Sequence, residues 1–143
     1  MSAEQQQRQM NLIWGAMLSA VVLYGVVCAV AVGNTDGDAV GDPVSVRYGF
    51  SVVAIVLGGL SVWWRRRFLA ADFAPAPFDF ARMQAHGVAV WALSEAVGLC
   101  GVLTALLVRE VREYIPFGAA AMGLLLLHRP SNLPWTRLAP PGS

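Results

Sequence analysis

Lysine is missing from this chain, and all ten of its basic residues are arginine. Charge of either sign is scarce. Only 13% of residues are Asp, Glu, Lys or Arg, where a globular domain carries about a quarter. Formal net charge is +1, so no bulk charge calls for nucleic acid or an acidic partner. Cysteine is limited to Cys28 and Cys100, each inside an apolar run. Neither belongs to a C-x-x-C pair and no histidine stands at ligand spacing from either, so a metal site or disulfide framework has no basis. Each cysteine is expected as a small buried hydrophobe. The phosphate-binding Walker loop and the dinucleotide glycine fingerprint are both missing, and no cofactor or metal is expected.

What remains is apolar. Hydrophobic residues make up 57% of the 143, and they collect into four runs. These predict an all-α membrane bundle of four transmembrane helices, two hairpins, over about 11–33, 46–65, 80–108 and 114–128, in one membrane domain. A helix needs about 20 residues to cross the hydrocarbon core. Runs one and three reach that length. Run two reaches it with its flanking residues, and run four is short. Ala29-Val30-Ala31 resembles a signal cleavage site, but the apolar core before it exceeds the 7–15 residues of a typical signal. Run one is read as a retained span.

Arginine placement sets the expected orientation. Arg65–Arg67 and Arg82 follow run two, whereas Asp36, Asp38 and Asp42 follow run one. Arg129 and Arg137 lie in the C-terminal tail. With four spans this puts both termini and the triple-arginine loop in the cytoplasm, in a bacterial inner membrane. Trp63 and Trp64 beside the arginines suit an interfacial belt. Asp79 offers an N-cap oxygen to the third helix. The Pro-rich tail, 129–143, is expected to be flexible.

Small residues let membrane helices approach closely. Gly25 and Ala29 form a small-xxx-small pair in run one. Ser94, Gly98, Gly101 and Ala105 follow helical spacing in run three and form a smooth stripe. Glu95 lies beside this stripe, in the middle of a span. An ionisable group there costs roughly 2.5–3.5 kcal/mol on insertion scales. The carboxyl is therefore expected to face another helix in its neutral form, with hydrogen-bond partners. Counting residues from the span ends leaves Tyr24 and then Ser19, both in run one, as partners at the same depth, with Ser94 adjacent. His86 is nine residues away along the helix, roughly 13 Å, too far to pair.

The segment Ala92–Leu107, "ALSEAVGLCGVLTALL", resembles the carboxylate-bearing helix of the proteolipid subunits of rotary ATPases. Ala92, Leu93, Glu95, Ala96, Gly98, Leu99 and Gly101 fall in step with that pattern. The resemblance covers one run of the four. It implies that Glu95 binds a translocated proton or cation, in a homo-oligomer or larger membrane complex. The residues themselves leave two readings open: an ion-handling Glu95, or a structural or accessory subunit in which Glu95 only makes helix–helix hydrogen bonds. Ser19, Tyr24, Ser94, Glu95 and Thr104 form no nucleophile–base set, so an enzyme is not expected.

Overall fold

The computed structural model describes residues 3–34, 39–70, 72–73 and 79–138. Four α-helices carry the fold: α1 (Ala3–Gly33), α2 (Pro43–Trp64), α3 (Phe80–Val108) and α4 (Tyr114–Leu127). A π-helical turn, Arg65–Leu69, continues α2. Short 3₁₀ turns precede and follow α4. Three segments, Glu4–Gly33, Pro43–Leu69 and Phe80–Val108, are long and apolar enough to cross a membrane. At 14 residues, α4 extends only about 21 Å and is not among them. Run four, read from sequence as the short one, is thus a short helix beside three long ones.

Two boundaries also move. α1 starts eight residues earlier than the apolar run, because "AEQQQRQM" consists of good helix formers and contains no breaker. Met10, fully buried, anchors this extension against Gly87 of α3. α2 starts at Pro43 because proline suits a first helical position and Asp42 caps it. The Asp42 carboxylate accepts from the Ser45 amide at 2.9 Å and the Ser45 hydroxyl at 2.7 Å. These bonds hold its pKa below the usual value. Asp79 caps α3 as expected, accepting from the Arg82 amide at 2.6 Å. Asp36 and Asp38 lie outside the described residues.

α3 is the hub. Half of its apolar window (50%) is buried, against 11% for the windows of α1 and α2. α1 and α3 run parallel: Met10 meets Gly87, and Val21 and Tyr24 meet Gly98. α2 and α4 run the other way, with Gly58 against Leu124 and near Val97. The outer faces of α1 and α2 stay apolar and exposed, through Val22, Val26 and Val30 on one and Val52, Ile55 and Val56 on the other. Apolar surface turned outward on this scale suits lipid as solvent.

The short α4 ends inside the bundle, so its last carbonyls need donors. Each of the other helices or its extension supplies one. Trp14 of α1 donates to the Leu125 carbonyl at 2.8 Å. Trp91 of α3, wholly buried, donates to the His128 carbonyl at 2.7 Å. Arg65, in the π turn, donates to the Leu127 carbonyl, and Asn132 reaches the same oxygen at 3.2 Å. The chain beyond α4 is docked through Leu138, and the rest of the tail expected to be flexible, 139–143, lies outside the described residues. Pro130 and Leu133 are buried, and Trp135 bonds back to the Pro130 carbonyl at 2.9 Å. Leu133 belongs to the same apolar core as Met10 and Met83.

Candidate functional site

Tyr24 and Glu95 stand where parallel helices α1 and α3 face each other. The phenol donates to Glu95 Oε1 at 2.5 Å. Both side chains are half-buried. Among the described residues, the second carboxyl oxygen of Glu95 makes no hydrogen bond. The remaining neighbourhood is apolar: Gly98 one turn on, with Val21 and Ala121 beside it.

The two serines expected near the carboxyl do not reach it. Ser19 is exposed and donates to the Gly15 carbonyl of its own helix at 2.9 Å. Ser94 is buried and donates to Val90 at 2.8 Å. A serine hydroxyl inside a helix has a carbonyl one turn back within reach, and takes it when nothing better is close. Thr104 does the same with Cys100 at 2.7 Å.

The small-residue stripe of α3 receives α4. Ser94, Gly98, Gly101 and Ala105 are all buried. A Cβ on Gly101 would sit 2.5 Å from the Phe117 Cβ, and one on Gly98 would sit 3.4 Å from Ala121. Gly25 of α1 fulfils a related role, since its missing Cβ would come within 3.0 Å of the Tyr114 ring. Ala29 does not pack; it is exposed. Val21, Tyr24, Gly25 and Cys28 make up the inward face of α1, and Ala29 sits one residue past it.

Tyr114 was not among the candidate site residues read from sequence. It opens α4 and donates its hydroxyl to the Val21 carbonyl of α1. The ring lies in a hollow made by Gly25, Gly101 and Gly118. The signal was present in those three glycines, one on each of three helices, which together leave a space the size of an aromatic ring. Tyr24 and Tyr114 thus tie α1 to α3 and to α4 at neighbouring depths.

His86 is remote from Glu95, as expected. It accepts from the Trp64 indole at 3.3 Å, and the Phe68 ring stacks on it at 4.8 Å. At the opposite end of the bundle, Arg47 of α2 pairs with Glu113 at 2.8 Å and Glu110 at 3.2 Å. Both cysteines are free and buried. Among the described residues, no group of three or more His, Cys, Asp or Glu could hold a metal ion.

Comparison with family models, curated proteins and solved structures finds no match for this chain. The Tyr24–Glu95 pair therefore has to be interpreted from its own chemistry. A phenol and a carboxyl can share one proton along a short bond. They can also join two helices in a solvent where few other groups can.

Proposed function

We propose that this chain is a small, non-enzymatic integral membrane protein in which Glu95 and Tyr24 form an interhelical pin. It serves as a structural or accessory subunit of a bacterial inner-membrane assembly. The four helices lie in the bilayer with both termini cytoplasmic, an orientation supported by Arg65–Arg67 on one side and the Asp-rich connection on the other. The observation that carries the reading is the bond between Tyr24 and Glu95 within a single chain. A carboxyl held by its own bundle is satisfied without a ring of copies. Tyr114, bonding α1 from the other neighbouring helix, supports the same role.

A second reading is favoured by a separate observation. Glu95 is only half-buried and one of its oxygens is unbonded among the described residues, so the carboxyl could take up a proton or cation as the proteolipid resemblance implies. Carbodiimide, which modifies protonated intramembrane carboxyls, separates the two. The pin predicts slow labelling at Glu95 that accelerates in Tyr24→Phe and is unaffected by Na⁺. Fast labelling in the unmodified chain, suppressed by Na⁺ or by raised pH, would support ion handling and sink the pin.

A further inference from the structure

The π turn after α2 separates three consecutive arginines into two roles. Arg65 turns inward, where its guanidinium reaches the Leu127 carbonyl and lies 3.1 Å from His128 Nδ1. The i→i+5 bond from the Ala70 amide to the Arg65 carbonyl, 2.8 Å, closes the wide turn. Arg66 and Arg67 are left exposed. Neither makes an ion pair among the described residues. Arg67 lies over the Phe68 ring at 5.8 Å, a contact that leaves its N–H edge open.

These two arginines line a recess of about 290 Å³ together with Trp63 and Phe73. Trp63 is 53% exposed and Phe73 60% exposed. The recess also has an apolar continuation. Leu60, Val56, Val53 and Val52 are exposed and follow Trp63 down one face of α2 at helical spacing. The order along that face is guanidinium, indole, then aliphatic. It matches the order of a phospholipid from phosphate through glycerol to acyl chain.

We propose that Arg66, Arg67, Trp63 and Phe73 form a discrete site for one anionic phospholipid. Its phosphodiester is held by the two guanidiniums, and one acyl chain runs along Leu60, Val56 and Val52. The site rests on the membrane reading above and is independent of what Glu95 does. Guanidinium donors bond phosphate oxygens in pairs, and the indole N–H belongs at the ester level. A zwitterionic lipid also offers a phosphate, but its cationic amine would then lie against the same arginines. The site therefore selects for net negative headgroups.

The test uses the full chain in detergent, with phosphatidylglycerol or phosphatidylcholine added and bound lipid counted by native mass spectrometry. One phosphatidylglycerol should be retained in preference to phosphatidylcholine. The double variant Arg66→Gln/Arg67→Gln should lower that retention by at least about tenfold, the scale of two cations at an anionic surface. Arg8→Gln/Arg129→Gln removes the same charge from elsewhere on the surface and should leave retention unchanged. Trp63→Ala should lower it without altering helicity. Equal losses in both double variants would mean a diffuse basic surface and would overturn the site. So would equal retention of the two lipids, or displacement of the lipid by inorganic phosphate alone. An alkaline carbonate wash of the source membranes separates the two levels. Release of the chain would overturn the membrane reading and the site together, whereas retention without lipid preference would overturn the site only.

Discussion

Removing the phenol oxygen of Tyr24 should weaken the attachment of α1, and the size of the effect can be bounded. The bond is 2.5 Å long and joins residues 71 apart in sequence. An intramolecular hydrogen bond contributes about 0.5–1.5 kcal/mol in proteins, while double-mutant cycles between membrane helices average about 0.6 and reach about 1.7 kcal/mol. The pair is half-buried, which argues against the upper extreme. A coupling of about 0.5–1.5 kcal/mol is expected between Tyr24→Phe and Glu95→Ala. The measurement is reversible unfolding in mixed micelles, followed by tryptophan fluorescence, for both single variants and the double. Glu95→Gln keeps an oxygen that accepts from the phenol, so it should retain more than half of the coupling. A coupling below about 0.3 kcal/mol would refute the pin, because it falls under the smallest effect such a bond should produce. A larger loss for Glu95→Gln than for Glu95→Ala would refute it too, since the hydrogen bond would then not be what the carboxyl supplies.

Four other perturbations act elsewhere in the chain. Gly101→Ala places a methyl 2.5 Å from the Phe117 Cβ and should cost about 1–3 kcal/mol by overpacking. Gly123→Ala, where a Cβ meets nothing within 4 Å, should be neutral or stabilise by up to about 1 kcal/mol; micelle unfolding checks both. Arg65→Gln withdraws the guanidinium from the Leu127 carbonyl and should cost about 1–2 kcal/mol, with faster amide exchange confined to the end of α4 and the following turn. The Asp42 cap should respond to acid. Its pKa is depressed by the Ser45 bonds, so the cap contributes fully above the unfolded value, about 3.9, and is lost as pH falls through the lower folded value. The protection factor of the Ser45 amide, its exchange rate relative to an unstructured amide at the same pH, should fall over that interval and stay constant in Asp42→Asn, which keeps a capping oxygen.

The outline of the fold was written in the apolar runs and the scarcity of charge, and the start of α3 was placed by the Asp79 cap. The Tyr24–Glu95 bond was readable by depth counting, since Tyr24 and Ser19 were the only polar side chains of the other runs at that level. What hydropathy could not resolve was the start of α1. "AEQQQRQM" is helical by propensity but polar, and its inward face depends on Met10 finding Gly87. Ala29 misled because a small-xxx-small pair gives spacing without direction: Gly25 faces Tyr114 and Ala29 faces outward. The π turn was hidden because three arginines in a row carry no periodic signal, and only the fold distinguishes Arg65 from its neighbours. The packing role of Tyr114 escaped notice because its hollow is made of absent side chains on three separate helices.

The unequal lengths of the helices explain where these polar groups gather. A helix that stops short within an apolar layer leaves carbonyls that lipid cannot satisfy. α4 is the shortest α-helix among the described residues, and Trp14, Arg65, Trp91 and Asn132 all aim donors at its end. The docked turns around Pro130 and Leu133 then cover the part of α3 that α4 does not reach. Its other end is fixed by Tyr114 against α1. α1, by contrast, leaves most of its length to the surroundings, and its ties to the bundle include the side-chain hydrogen bonds of Trp14 and Tyr24, with Val21 receiving Tyr114. Loss of Tyr24 should therefore loosen α1 at its contact with α3, whereas loss of Arg65 should free the end of α4, to which Trp14 of α1 is also bonded. The two interactions share α1 through Trp14, so their effects on stability should couple rather than add.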